Sequence, residues 1–226
     1  MNILAIDTST KYFCLVIAKD KDILVRYHKP LGRELSRLII PIIDKCLKKT
    51  GLALKDIDFL AVGLGPGSFT GLRIGLATIK GFALALKKPV IGINSLDVLA
   101  YSAGDEDKDI CPLVDAKRAL VYSAIYRKDG ANRRRKSRYL LVGINELLGY
   151  IKKETVFLGD AIMLYRVKID NRLRQKAYFE KEDNWYPRPE FLLALALEKI
   201  KNKEFKDAVK IVPLYLYPKD CQVRNT

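Results

Sequence analysis

Gly63-Leu64-Gly65-Pro66-Gly67-Ser68-Phe69-Thr70-Gly71-Leu72-Arg73-Ile74-Gly75 is the stretch around which this chain is organised. The apolar run before it, Phe59-Leu60-Ala61-Val62, reads as a buried strand, and residues 72–86 after it read as a helix. A strand, a glycine loop and a helix in that order aim backbone N–H groups and the positive end of a helix dipole at one point, where an anion can sit. Two nucleotide templates nevertheless fail on spacing. A Walker loop needs Lys and a hydroxyl residue after its last glycine, and here Leu72 and Arg73 stand there. Gly65, Gly67 and Gly71 miss the dinucleotide fingerprint by one residue, and residues 67–71 are not a Gly-x-Ser-x-Gly elbow. The stretch therefore reads first as a tight joint. Anion or nucleotide contact by Gly65, Gly67 and Ser68, with Asp7, Thr8 and Ser9 from an earlier turn, is the secondary expectation.

The helix that the joint starts carries Arg73, Lys80 and Lys87 at spacings of seven, a narrow basic stripe. Almost everything else on it is apolar or small. Gly71 with Gly75, and Ala77 with Gly81 and Ala85, are four-spaced small residues that admit a close neighbour. A helix apolar on most of its circumference is buried on more than one side. One side is its own sheet; on the other, a partner helix is expected, or else cover by the rest of this chain. The preceding helix, 33–49, has the same surplus: Leu35, Leu38, Ile39, Ile42 and Cys46 form one stripe, and Ile40, Ile43 and Leu47 widen it. Pro41 inside it should kink it at a cost of about 3 kcal/mol, and Gly51 ends it. The expected partner contacts are Leu38, Ile39 and Ile42 on the first helix and Arg73, Ile74, Ala77 and Gly81 on the second.

Outward from these helices, strands are expected at 2–6, 12–18 and 23–27, with the polar turn Asp7-Thr8-Ser9-Thr10 after the first. A strand at 89–93 and a short helix capped by residues 94–97 lead to a charged link, 104–109, the expected domain boundary. Beyond it the opening pattern restarts: strand 110–114, turn Asp115-Ala116-Lys117-Arg118, strand 120–126. That echo fits a duplicated lobe. A short helix at 146–153, a strand at 155–158, a helix at 188–201 and an apolar, aromatic segment at 209–217 complete the reading, followed by a polar tail at 218–224.

With 226 residues, 49% of them hydrophobic, the chain can build a sizeable core. Its formal charge of +15 favours an acidic partner, nucleic acid or an acidic protein face. The densest basic run, 132–138, reads as an RNA phosphate contact through Arg133, Arg134 and Arg135, or as a solvated hairpin tip. The four cysteines are scattered, which argues against metal or redox motifs and for a reducing compartment. His28 is the one histidine, so a two-histidine metal site cannot be built, and no metal is expected. Asp7 with Asp115 could pair carboxylates across the two halves, but no third ligand suggests itself. No membrane span and a cytoplasmic location are expected.

A hairpin meander with an acidic turn after its first strand resembles the ribonuclease-H-like lobe of the actin, Hsp70 and hexokinase ATPases. Asp7 matches the acid of that turn; Ser9 stands where its phosphate-approaching glycine would be. Residues 65–75 resemble the signature of the TsaB family, also called YeaZ. Ile3-Leu4-Ala5-Ile6-Asp7-Thr8-Ser9 is similar to that family's opening strand, Asp115-Ala116-Lys117-Arg118 with Val121-Tyr122 to its second acidic turn, and Pro213-Leu214-Tyr215-Leu216 to its C-terminal motif. The poorest match is 128–187. The resemblance implies an α/β fold of two ribonuclease-H-like lobes with mixed sheets and flanking helices. The lobes would be residues 1–104, with the glycine motif and the partner helices, and 105–226, with the C-terminal helix and tail packing back on the first.

The family further implies a subunit without catalysis of its own in the synthesis of threonylcarbamoyladenosine, beside the anticodon of ANN-decoding transfer RNAs. Such a subunit pairs with and activates a TsaD-like paralogue, and a TsaE-like ATPase joins them. A homodimer through the same helices is the other pairing. The RNA would be met through the complex. No cofactor of its own is implied, with ATP or ADP at the partner interface. Leu35 stands where family members often carry a histidine. The competing reading is a stand-alone ATPase or peptidase on the same scaffold, for which the missing phosphate-loop glycine and the lack of a histidine base beside Ser68 are obstacles.

Overall fold

The computed structural model describes residues 1–104, 107–130 and 132–217. Parts of the charged link and the whole polar tail lie outside the described residues. The first sheet comprises β1 (Asn2–Asp7), β2 (Tyr12–Lys19), β3 (Asp22–Pro30), β4 (Phe59–Gly63) and β5 (Val90–Ile93), in the order β3-β2-β1-β4-β5. β1 to β3 pair antiparallel, whereas β4 and β5 run parallel to β1, with Ile3 opposite Phe59 and Ile6 opposite Val62. β1 is apolar on both faces, as a central strand covered from both sides must be. Alternate residues divide between two cores. Leu4, Ile6, Leu15, Ile17, Leu60 and Val62 meet α1 (Leu35–Thr50) and α2 (Phe69–Leu86). Ile3, Ala5, Val16, Ala61, Ile91 and Ile93 meet α3 (Ser95–Tyr101) and α6 (Pro189–Lys201).

The second sheet repeats the plan. β6 (Asp109–Lys117), β7 (Leu120–Ser123), β10 (Leu140–Gly143), β11 (Thr155–Leu158) and β12 (Ala177–Phe179) stand in the order β10-β7-β6-β11-β12. Again the first three pair antiparallel and the last two join in parallel. α4 (Ile144–Tyr150) and α5 (Ile162–Leu173) hold the positions that α1 and α2 hold in the first lobe. The fold is thus α/β, two ribonuclease-H-like lobes of the actin-like type. α6 follows the second sheet in sequence but packs against β1, β2 and β5 of the first. Across the lobes, the Tyr126 and Tyr139 hydroxyls both donate to Asp97 on α3, at 2.7 and 2.8 Å, and Tyr12 stacks on Tyr186 at 4.2 Å between ring centroids.

Several expectations change in detail. α1 begins at Leu35, because Gly32–Glu34 wind as a 3-10 turn, and it runs on through Pro41, whose ring lies on the solvent side. Lys87 is not on the α2 stripe: it caps the helix in a left-handed conformation, φ 53°. The strand expected over 120–126 breaks after Ser123, and a hairpin of β8 (Tyr126–Asp129) and β9 (Asn132–Arg135) follows it. Most of the basic run is therefore the outer strand of that hairpin, and Gly130 at φ 61° lies in the turn. α5 and β12 lie in the stretch where the sequence carried least pattern.

Candidate partner-binding face and the joint beneath it

The glycine stretch is shaped by this chain's own turn. A Cβ on Gly63 would stand 2.0 Å from Asp7 Oδ2, one on Gly67 2.2 Å from the Ser9 carbonyl oxygen, one on Gly71 2.2 Å from the Thr8 carbonyl oxygen, and one on Gly75 2.2 Å from Thr8 Oγ1. Four glycines thus vacate the volume that the Asp7–Thr8–Ser9 turn fills. Hydrogen bonds close the joint. Ser68 N–H donates to the Ser9 carbonyl at 2.7 Å, and Thr8 Oγ1 donates to the Gly71 carbonyl at 2.8 Å. Ser68 Oγ caps α2 by accepting from Gly71 N–H at 3.2 Å. Gly65 N–H donates to Ser95 Oγ at 3.1 Å.

Asp7, Thr8 and Ser9 are buried at the centre. The Asp7 carboxylate accepts from Ser9 N–H at 2.8 Å and from the Ser9 and Ser95 hydroxyls at 2.6 Å each. The N–H groups of Gly65, Ser68 and Gly71 are thereby engaged inside the joint, as are the Asp7 carboxylate and the Thr8 and Ser9 hydroxyls. Asp7 and Asp115 are likewise engaged locally. Asp115 accepts from the backbone N–H and the ammonium of Lys117, at 2.8 and 2.6 Å. Among the described residues, no cluster of three or more His, Cys, Asp or Glu could hold a metal ion. His28 lies half-buried beside Tyr12 with Nε2 unpartnered, and burial followed by the charge of Arg188 holds its pKa below the ordinary value. Ser68 is spent as a helix cap rather than aimed at a base.

Burial pushes the Asp7 carboxyl above its usual range, against the three hydrogen bonds that favour the anion. A carboxyl raised on folding favours the folded state most below its unfolded pKa, and that advantage is lost as pH rises through the folded value. Wild type should therefore lose stability relative to Asp7→Asn as pH climbs from 3.8, the unperturbed value, through the folded pKa. Urea unfolding at a series of pH values reads the difference. A gap that is constant over pH 4 to 7, spanning about three units above the unperturbed value, would refute the assignment.

Above the joint, α2 shows a continuous face of small and apolar residues to solvent. Gly71, Leu72, Gly75, Leu76, Ile79 and Ala83 point into the fold, whereas Arg73, Ala77, Gly81, Leu84 and Ala85 are exposed and Ile74 is half-buried. α1 packs beside it and adds half-buried Leu38 and Ile42. Ile39, expected on the partner face, is 2% exposed and belongs to the core, as does Leu35. Leu84, with 55% of its surface open, is an exposed apolar residue on this face that the sequence reading did not assign to it, whereas exposed Ile40 lies roughly 160° around α1 from Leu38 and Ile42. Leu84 follows Ala77 by seven residues, a signal that was available.

The basic stripe has work within the chain. The Arg73 guanidinium lies 3.7 Å from the Phe69 ring centroid and its Nε donates to Tyr215 Oη at 3.2 Å. Lys80 Nζ donates to the Val209 and Ile211 carbonyls at 3.0 and 3.3 Å. These cations clamp the C-terminal segment along one edge of α2 and leave the rest of the face open. By length and composition α2 is also apolar enough to cross a membrane, with a third of it buried within this chain.

Of the arginines expected at RNA, Arg133 turns inward and donates to the Ala103 and Gly104 carbonyls at 3.4 and 3.1 Å. Arg135 donates to the Ser137 carbonyl at 2.6 Å and stacks over Tyr139 at 4.0 Å, and Arg134 is exposed. The structure does not gather the three into one contact.

Residues 22–216 match the family model of TsaD, tRNA N6-adenosine threonylcarbamoyltransferase. The tRNA threonylcarbamoyladenosine biosynthesis protein TsaB of Bacillus subtilis (strain 168) is 31% identical over 219 residues, which cover 96% of this chain and 94% of that protein. The chain belongs to the TsaB family. A tRNA N6-adenosine threonylcarbamoyltransferase of Protochlamydia amoebophila is 41% identical over 105 residues, 40% of this chain and 31% of that one. TsaB and the transferase thus share part of their sequence. A solved Pseudomonas aeruginosa structure, described as having similarity to peptidase YEAZ, superposes with a TM-score of 0.82 over 96% of this chain and 99% of its own, at 24% identity, and shares the fold.

Proposed function

We propose that this TsaB-family chain is the non-catalytic subunit of a transfer RNA threonylcarbamoyladenosine synthesis complex, and that it binds and activates the TsaD-like transferase through α1 and α2. Gly81 is the observation that carries the reading. It sits inside α2, where glycine costs about 1 kcal/mol relative to alanine. A Cβ there would meet nothing within 4 Å. Nothing among the described residues requires the missing side chain, whereas a helix packed closely from outside would. Ala77 and Ala85 flank it on the same exposed face. Leu84, with half-buried Leu38 and Ile42, would supply the apolar anchors. Each contributes about 1.5–3 kcal/mol on full burial, and a few such anchors can dominate an interface.

The match to the TsaD family model supports a paralogue of similar fold as the occupant. Two related lobes can present the same two helices to each other, which also makes a homodimer the competing pairing in the absence of the paralogue. The sealed Asp7 turn supports leaving the chemistry to that paralogue, with any ATP or ADP at the interface held by the partners' residues and a TsaE-like ATPase as third component. Purified chain should neither hydrolyse ATP nor modify RNA, yet its addition should raise threonylcarbamoyl transfer by the paralogue and the ATPase on an unmodified ANN-decoding transfer RNA. Turnover of ATP by the chain alone, abolished by Asp7→Ala, would instead revive the stand-alone enzyme. Transfer that proceeds equally without the chain would remove the accessory role.

A further inference from the structure

We propose that the second lobe carries a phosphodiester-binding face, separate from α1 and α2, through which this chain contacts RNA directly. It is built from two cavities, one at the C-terminal end of α4 and one between α4 and α5. The first, of about 430 Å³, is lined by Lys136, Arg138, Lys152 and Lys153, with Asp109 as its one acid. Asp109 is already shared by two cations: Arg127 lies 2.8 Å from one of its oxygens and Lys136 lies 3.3 Å from the other. Arg138, Lys152 and Lys153 are exposed and form no ion pair among the described residues. The second cavity, about 450 Å³, is lined by Lys168 and Arg172 of α5 with Asn145, Leu148 and Asn171, with no acid in its lining among the described residues.

Unneutralised cations crowded into concave sites repel one another unless an anion enters. Two such sites, both bordered by α4, fit a polymer with charge at regular intervals better than a lone phosphate. Tyr150, at the C-terminal end of α4, lines the first cavity with 44% of its surface open, and its hydroxyl is tied to Glu146 at 3.1 Å. An exposed aromatic ring beside cations is the arrangement on which bases stack, and this favours RNA over an acidic protein segment. Lys168 and Arg172 fall in the part of the chain that carried least pattern, and Lys152 and Lys153 are only a dipeptide in sequence. Folding, rather than a run of arginines, brings these groups together.

The test uses the full chain and an unmodified transfer RNA transcript, with affinity measured by fluorescence anisotropy from 50 to 200 mM salt, the range over which phosphate contacts lose affinity steeply. Arg138→Ala/Lys152→Ala/Lys153→Ala should weaken binding at least tenfold and reduce the slope of log K against log salt by about 2–3, near 0.7–0.9 per lost phosphate contact. Tyr150→Ala should weaken binding and leave the slope as it was. Lys19→Ala/Lys21→Ala/Lys29→Ala removes the same charge from exposed positions of the first lobe and should change neither. Equal losses in both triple variants would reduce the effect to net charge and overturn the site. Wild-type RNA binding by the Arg138 triple variant overturns it too, and if that variant at the same time lost a protein component the face would belong to that protein. Binding of the paralogue by the triple variant should stay intact, so failure here is distinguishable from failure of the α1–α2 reading.

Discussion

Gly71→Ala and Gly75→Ala should each destabilise the isolated chain by about 3 kcal/mol or more, at or beyond the upper end of the cost of overpacking a core. The new methyl would lie 2.2 Å from the Thr8 carbonyl in the first case and from Thr8 Oγ1 in the second. Neither obstacle is the free end of a flexible side chain. Thr8 is fully buried, and its hydroxyl is held by the Gly71 carbonyl at 2.8 Å. Relief would require α2 to move off the sheet or the turn to leave Asp7, whose carboxylate and three donors are then unmatched. For a chain of this size the melting temperature should fall by roughly 6–12 °C. Scanning calorimetry of both variants against wild type gives the answer. A shift within 2 °C, the equivalent of under about 1 kcal/mol, would show that the glycines are not there to admit the Thr8 turn.

Gly81→Ala should do the reverse in the free chain. The new methyl enters open space, so the substitution should stabilise α2 by about 0.5–1 kcal/mol through helix propensity. If a partner helix approaches over Gly81, the same methyl stands in its way, and affinity for the TsaD-like paralogue should fall. Ala77→Arg places a charged side chain on the same exposed face and should weaken the complex at least a hundredfold, about 2.7 kcal/mol, with the fold unchanged. Few substitutions stabilise a chain and weaken its complex at once, so the pairing of thermal melts with titration calorimetry is discriminating. Gly81→Ala and Ala77→Arg that both bind the paralogue like wild type would remove the face from the interface.

The joint and the two lobes were legible in the sequence because their signals are local. Buried strands, a glycine loop and an acidic turn repeated after a charged link are patterns of neighbouring residues. The purpose of the glycines was not legible. Gly63, Gly67, Gly71 and Gly75 answer to Asp7, Thr8 and Ser9, more than fifty residues earlier in the chain, and a spacing that reads as a tight joint does not name the turn that fills it. Ser95, which bridges Asp7 and Gly65, gave no signal beyond its place at the start of a short helix.

On α1 the wide apolar stripe concealed which part faces the sheet. Ile39 and Leu35 went to the core, while Leu38 and Ile42 stayed half-open, a difference of one helical position that periodicity does not resolve. Arg73 and Lys80 are occupied by the segment at 209–215, a contact that spans more than 120 residues. The arginine run was visible for its density, yet density said nothing of direction: Arg133 folds inward onto backbone carbonyls. The less conspicuous Lys152, Lys153, Lys168 and Arg172 face the cavities.

The central claim is that the open face of α1 and α2 receives the TsaD-like paralogue. Amide hydrogen exchange on this chain, alone and saturated with that paralogue, tests it most directly. The account predicts slowed exchange concentrated in residues 73–86 of α2 and 36–45 of α1, with the α4–α5 face unchanged. Protection confined to α4 and α5, or no protection of α2 in a complex shown to have formed, would contradict it.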